Sequence, residues 1–261
     1  LERPGPTHPS PSFESARTVF AIAKTESTRC VEGDERARIE CFLHNRFAGD
    51  EAAERAAVEL YRDSNDVVGV IEPFVMNGGY RGMLNLVPAW PKGALSKHLR
   101  WLRAARKSHV KFVEDVRSKA SGEVHYRDRG LLLPFFRSVK ARTPSAYAEG
   151  WTLAYNVEGS LNTSEAAVDE TFFHELFHAN DAEHGEWSLK VLAPIHANVR
   201  ARCKTDTACL APYAPNAKKE RGGTFYAFQP GNDAREYGAE IAVRYYKEVR
   251  GALGLGPPFG P

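Results

Sequence analysis

Residues 171–181 read TFFHELFHAND and carry the pattern His-Glu-x-x-His at His174, Glu175 and His178. An α-helix turns once in about 3.6 residues, so side chains four positions apart lie on one face, about 5–6 Å from each other. His174 and His178 can therefore bind one metal ion, while Glu175 lies beside them and can take up a proton. The spacing predicts a zinc-binding helix. Since short patterns also arise by chance, a buried helix with two structural histidines is the alternative.

The residues that flank the motif predict that this helix is buried. Thr163 or Ser164 is a typical N-cap for a helix that begins at Glu165. Its apolar side chains form a surface suited to a protein core. They are Ala166, Ala167, Val168, Phe172, Phe173, Leu176 and Phe177. Asp181 follows His174 by almost two turns, so we expect its carboxylate to accept the second N–H of a ligand histidine.

A second helix is expected to supply the third metal ligand. Glu236 and Glu240 lie on one helix face, so that one can bind zinc while the other orients a ligand histidine. Asp233 and Glu236 form a capping box, which predicts that this helix begins at Asp233. The string EYGAE at 236–240 resembles the E-[FY]-x-A-E segment of compact gluzincins, such as the catalytic domains of anthrax lethal factor and the Pro-Pro endopeptidases. HAND at 178–181 likewise resembles the H-x-x-D that follows their zinc histidines.

This resemblance covers the two helices and implies a zincin-like metallopeptidase fold. The expected class is α+β, mostly helical, with a small sheet beside the active-site helix and a helical C-terminal lobe. The resemblance also implies a zinc endopeptidase in which His174, His178 and Glu236 hold Zn²⁺ and the metal activates a water molecule. Glu175 is then the general base that accepts the proton of that water. Tyr226, in a glycine-flanked loop, is the expected oxyanion donor, with a packed loop aromatic as the alternative.

Two other ligand sets stay open at this point. His184 completes a spacing that resembles the metzincins, although Asp181 stands where that group has glycine and both methionines of the chain precede the zinc helix. Asp233 as third ligand resembles the aspzincins, but its role as a helix cap is better supported. The alternative function is a metzincin-like peptidase or a non-catalytic module in which zinc joins two helices. Glu175 argues against such a module, because a purely structural zinc site does not need a carboxylate at this position. Structural zinc sites also usually close with four protein ligands.

The chain is expected to divide into three parts. A flexible proline-rich arm is predicted at residues 1–12. An N-terminal lobe at 13–184 includes the motif helix, and a helical C-terminal lobe at 185–261 carries the third zinc ligand.

Four further segments have a recognisable pattern. β-like runs at 67–75 and 80–87 on either side of Asn77-Gly78-Gly79 predict a hairpin. Residues 94–119 have helical spacing with many Lys and Arg, which is typical of a solvated helix face. Residues 151–157 alternate like a half-buried strand. In the resembling peptidases a strand in this position forms the rim of the cleft and pairs with an extended substrate. An interior strand is the alternative.

Composition excludes some classes of protein. Hydrophobic residues make up 43% of the 261 residues and charged residues 26%, the values of an ordinary globular protein. The formal net charge of +2 gives no argument for a nucleic-acid partner. No apolar run approaches the ~20 residues that span a bilayer. The resemblance to zinc endopeptidases implies that the partner is a protein or peptide substrate.

The four cysteines form two pairs that are close in sequence. Cys30 lies near Cys41, and Cys203 lies near Cys209, without the C-x-x-C spacing of a zinc ribbon. Two local disulfides are predicted, with free thiols as the alternative. Disulfides persist in oxidising compartments, so the expected location is secreted, extracellular or periplasmic.

Overall fold

The computed structural model of the chain describes residues 9–20, 30, 32–216 and 223–252. In these ranges the protein is α+β and mostly helical, which confirms the predicted fold class. The helices are α1 (Phe13–Val19), α2 (Glu35–Phe47), α3 (Glu51–Ser64), α4 (Lys97–Lys119), α5 (Glu165–Glu183), α6 (Trp187–Cys203), α7 (Thr207–Leu210) and α8 (Ala234–Ala252). The strands are β1 (Val67–Val70), β2 (Phe74–Asn77), β3 (Met83–Pro88), β4 (Leu132–Ser138), β5 (Ala146–Glu149) and β6 (Thr152–Asn156).

The strands form one mixed sheet in the order β2-β3-β4-β6-β5, with β1 paired to β4. The predicted hairpin is present as β2 and β3, which run antiparallel with Asn77 opposite Met83. The run at 67–75 was expected to be one arm of that hairpin, and this is wrong for its first half. β1 instead pairs parallel with β4 and is buried along its whole length. A short apolar run without alternation suits such a strand, because parallel strands are covered on both faces.

Strand β6 is an interior strand of this sheet. It pairs parallel with β4 on one side and antiparallel with β5 on the other. Its backbone donors and acceptors are therefore occupied within the sheet, and the expectation that it pairs with a substrate is wrong. On that side the sheet ends at β5.

The chain packs as two compact units. The first comprises Leu1–Ser108 and Arg127–Phe172, and the second comprises His109–Tyr126 and Phe173–Pro261. All the predicted site residues belong to the second unit. The predicted lobes and arm stay predictions.

The first unit contains the sheet. One of its core clusters joins Ile71, Leu84, Leu86, Phe136 and Ala154. Residues 1–8 of the predicted arm lie outside the described residues, whereas the carbonyl of Pro9 accepts a hydrogen bond from Gly130 N–H at 3.0 Å.

The second unit is built from helices and two core clusters. Phe112, Val113, Phe173, Val243 and Tyr246 form the first cluster, which joins α4, α5 and α8. The second cluster joins α6, α7, the segment before α8 and α8 itself. It comprises Val199, Cys203, Leu210, Phe225, Ala227, Phe228 and Tyr237. The helices that carry the predicted ligands are thus tied together by apolar burial.

Both predicted cysteine pairs lie at disulfide distance, Cys30 with Cys41 and Cys203 with Cys209. Among the described residues, no helix has the length and apolar character needed to cross a membrane. The basic face of α4 has acidic neighbours on α3. Arg103 and Lys107, for example, both pair with Asp63 at 2.7 and 3.0 Å.

Candidate metal centre

Helix α5 places both motif histidines on one face. Its start agrees with the predicted cap, because Ser164 Oγ accepts a hydrogen bond from Ala167 N–H at 3.2 Å. The helix continues past Asp181 and ends at Glu183. The imidazole Nε2 atoms of His174 and His178 are 3.1 Å apart.

Helix α8 brings Glu236 to these histidines. The helix begins at Ala234, one residue after the predicted start, and Asp233 caps it by accepting the N–H of Arg235 at 2.8 Å. Glu236 does not complete the capping box, because its carboxylate is directed to the histidines.

A glycine permits this approach of α8. A Cβ atom on Gly238 would lie 2.9 Å from the Cβ of Ser188 on α6 and 3.2 Å from the ring of Phe177 on α5. Any larger residue would therefore push α8 away from the helix that carries the histidines. Gly238 costs helix propensity, about 1 kcal/mol relative to alanine, and close packing is the compensation.

Three donor atoms converge at one place. Glu236 Oε2 lies 3.2 Å from His174 Nε2, and Glu236 Oε1 lies 3.5 Å from His178 Nε2. One ligand atom from each of these three residues lies within 4.8 Å of the others. In a tetrahedral zinc site with bonds of about 2.0–2.1 Å, two ligand atoms are about 3.3 Å apart. The separations of 3.1–3.5 Å are close to that value, with each carboxylate oxygen of Glu236 facing one histidine, so the donor set is of a kind that can hold a zinc ion.

The second nitrogen of His174 faces another carboxylate. His174 Nδ1 lies 3.4 Å from Glu240 Oε1, one helical turn beyond Glu236. A carboxylate at this nitrogen selects the tautomer that leaves Nε2 free to bind a metal. Asp181 was expected in this role, and that expectation is wrong. Its carboxylate instead accepts the N–H and the hydroxyl of Ser188, at 2.8 and 2.5 Å.

The alternative ligands lie elsewhere. His184 does not belong to the cluster, and its Nδ1 donates to the carbonyl of Asn180 at 2.7 Å. Asp233 is occupied by its capping bond and by Arg235, at 2.7 Å. Of the three candidates for third ligand, the structure places Glu236 at the histidines.

Charge pairing inside the cluster favours a cation. Burial lowers the pKa of His174, but hydrogen bonds to Glu236 and Glu240 outweigh burial and hold that pKa well above its ordinary value. Burial raises the pKa of Glu236, yet hydrogen bonds from His174 and His178 hold it well below its usual range. Positive charge between these groups is therefore stabilised by the carboxylates around it.

Glu175 and Tyr226 both lie beside the cluster. Glu175 is 8% exposed, and its negative charge helps to raise the pKa of His174 and of Tyr226. The Tyr226 ring centroid is 6.0 Å from that of His174, and its hydroxyl donates a hydrogen bond to Glu236. Burial, reinforced by the charge of Glu236, raises the pKa of Tyr226 far above its usual value. The phenol therefore keeps its proton and remains a donor.

Sequence reasoning missed what holds Tyr226 in place. The residue lies in a single helical turn, Tyr226–Phe228, whose neighbours Phe225, Ala227 and Phe228 are buried in the second core cluster of this unit. The available signal was the apolar run Phe225-Tyr226-Ala227-Phe228, but a segment this short has no period from which a buried face can be predicted.

Comparisons with family models, with curated proteins and with solved structures found no match to this chain.

Proposed function

We propose that this chain is a zinc-dependent endopeptidase of gluzincin type. The observation that carries the proposal is the convergence of His174, His178 and Glu236, whose donor atoms are 3.1–3.5 Å apart. A carboxylate that lies next to the first histidine and is close to the cluster supports a reaction as well as metal binding. A purely structural zinc site does not require a carboxylate that is not a ligand, such as Glu175. Structural sites also usually close with four protein ligands, whereas three converge here.

His174, His178 and Glu236 would hold the metal ion, and Glu240 would orient His174 through its Nδ1. A bound zinc ion supplies Lewis-acid chemistry, which polarises a carbonyl group and makes a water molecule more acidic.

Glu175 is the proposed general base. Its carboxylate accepts a proton from the attacking water and returns that proton to the amine that leaves. The residue is buried to 8% exposure, and a dry position strengthens each of its electrostatic interactions.

Tyr226 is the proposed donor to the oxyanion that develops on the scissile carbonyl. Two observations support this role. Its ring lies 6.0 Å from the ring of His174, and its hydroxyl reaches the cluster, where it donates a hydrogen bond to Glu236.

Substitution of the general base tests the proposed function. Glu175→Gln should retain zinc and the fold but lose at least ~10²-fold in kcat on a peptide selected from a cleavage library. Glu165→Gln is the matched control, because it changes an exposed glutamate in the first turn of the same helix. An unchanged rate in Glu175→Gln, or a wild-type chain that binds zinc and cleaves no peptide, would contradict the proposal.

Export from the cytoplasm belongs to the same proposal. It is supported by the two cysteine pairs at disulfide distance. Peptide mapping of the protein under non-reducing conditions should recover Cys30 linked to Cys41 and Cys203 linked to Cys209. Four free thiols would remove the argument for a secreted or periplasmic location.

A further inference from the structure

A buried histidine connects the two segments that carry Tyr226 and Glu236. His196 lies on α6 and is 5% exposed. Its Nε2 lies 2.9 Å from the carbonyl oxygen of Ala227, the residue after Tyr226. Its ring is 5.5 Å from that of Tyr237, the residue after Glu236. One side chain thus contacts the immediate neighbours of both groups.

The hydrogen bond to Ala227 defines which ring nitrogen of His196 carries a proton. A carbonyl oxygen only accepts hydrogen bonds, so Nε2 of His196 must carry the proton and donate. The flat ring also stacks on Phe228, with ring centroids 5.4 Å apart and an angle of 8° between the planes. Donation and stacking together fix the turn from two directions.

The carbonyl of Tyr226 accepts two further hydrogen bonds, neither of which comes from α6. Gln229 N–H donates to the carbonyl of Tyr226 at 3.1 Å, and the side-chain amide of Asn232 donates to the same oxygen at 2.8 Å. These bonds give the turn its shape but do not set its position. The hydrogen bond from His196 to the carbonyl of Ala227 links the backbone of the turn to α6, whereas the Tyr226 hydroxyl reaches Glu236 on α8.

We propose that His196 is a positioning residue for Tyr226. By binding the carbonyl of Ala227, it holds the turn so that the Tyr226 hydroxyl stays at Glu236 and close to His174. This inference rests on the proposed function where it concerns catalysis. Its structural part, that His196 orders the turn, is independent of any activity.

A double-mutant cycle tests the catalytic part. His196→Leu keeps an apolar side chain of similar size but lacks the donor, and it should lower kcat about 10-fold with little change in KM. In a Tyr226→Phe background the same substitution should lower kcat by less than about 2-fold, because the hydroxyl that His196 positions is already absent. His196→Gln, which offers an amide N–H, should restore part of the rate. Additive losses in the cycle would overturn the inference, since a residue that only stabilises the fold acts regardless of Tyr226.

Amide hydrogen exchange tests the structural part without any activity. Phe228 N–H and Gln229 N–H bond within the turn, at 3.0 and 3.1 Å. They should exchange about 10-fold faster in His196→Leu and near the wild-type rate in His196→Gln. Tyr226→Phe is the control and should leave both rates unchanged. If the wild-type chain cleaves no peptide, the proposed function fails, and unchanged exchange in His196→Leu would overturn this inference separately.

Discussion

Each unit of the protein buries a group of charged side chains, and the two groups are built differently. In the first unit Arg106, 2% exposed, pairs with Asp66 at 3.2 Å and with Asp128 at 2.7 Å. In the second unit the carboxylate of Glu236 meets two histidines, His174 and His178. The first group contains a permanent cation of its own. In the second group the partners of the carboxylate are imidazoles, which carry positive charge only if they gain a proton or bind a metal.

This difference separates a structural network from a candidate site. Buried charge is tolerated where a partner of opposite sign and further hydrogen bonds compensate its desolvation. Arg106 is compensated in this way, since it also donates to the carbonyl of Arg129 at 2.7 Å. In the second group the Nε2 atoms of His174 and His178 lie 3.1 Å apart and both lie close to Glu236, which is the donor set that the proposed zinc ion would need.

The largest expected effect concerns the metal. His174→Ala should abolish zinc binding, which we expect at one ion per chain in the wild type, because two donors rarely retain the ion without the third. Metal analysis after dialysis measures it. His184→Ala is the control and should keep its zinc, since His184 donates to Asn180 instead. Full zinc occupancy in His174→Ala would contradict the assignment of the second group as a metal site.

The next effect concerns the network of the first unit. Arg106→Met leaves Asp66 and Asp128 without their cation and should destabilise the fold by about 3–5 kcal/mol in urea unfolding at pH 8. Zinc stoichiometry should not change. Lys107→Met is the matched control on the same helix. Its side chain is 55% exposed, so its pair with Asp63 should be worth less than about 1 kcal/mol.

The loss in Arg106→Met should be smaller at pH 5. Burial raises the pKa of Asp66 to about 6, so below that pH the group takes up a proton and no longer needs the guanidinium. A loss equal at both pH values would show that packing, and not charge, makes Arg106 important.

Acid should destabilise the first unit through His98. Its pKa is lowered by burial to about 4, and its Nδ1 lies 2.8 Å from the hydroxyl of Tyr155. The unfolded chain binds that proton more tightly, so the stabilisation is complete above about pH 6.5 and is lost as pH falls toward 4. The full loss is roughly 3 kcal/mol.

His98→Asn isolates the contribution of His98 titration, because asparagine can still form a hydrogen bond with Tyr155 but does not titrate. The difference in unfolding free energy between wild type and variant, followed from pH 7 to pH 4, removes the titration of Asp66 that both chains share. A difference that does not change with pH would contradict the prediction.

The smallest effect concerns Glu240. Glu240→Ala should weaken zinc binding by about 10–100-fold, because this carboxylate acts through His174 Nδ1. Glu236→Ala should weaken it more strongly, since a donor atom is removed. Competition with a chelator of known affinity measures both. A larger loss in Glu240→Ala than in Glu236→Ala would reverse the two roles.

The sequence by itself determined what depends on one element or on near neighbours. The four-residue spacing of His174 and His178 fixes their common face in any α-helix, and Ser164 caps that helix as predicted. The two cysteine pairs follow from short separations along the chain. Local geometry is sufficient in these cases, because few alternative partners lie within reach.

The tertiary structure decided which elements meet. Glu236, His184 and Asp233 all had suitable chemistry in the sequence, and the packing of α8 at Gly238 is what brings Glu236 to the histidines. The same packing gives Glu240 the role expected of Asp181, which instead binds the start of α6. Periodicity predicts the face on which a side chain lies. Which element packs against that face depends on how distant segments bury their apolar surfaces together, and no local sequence pattern predicts it.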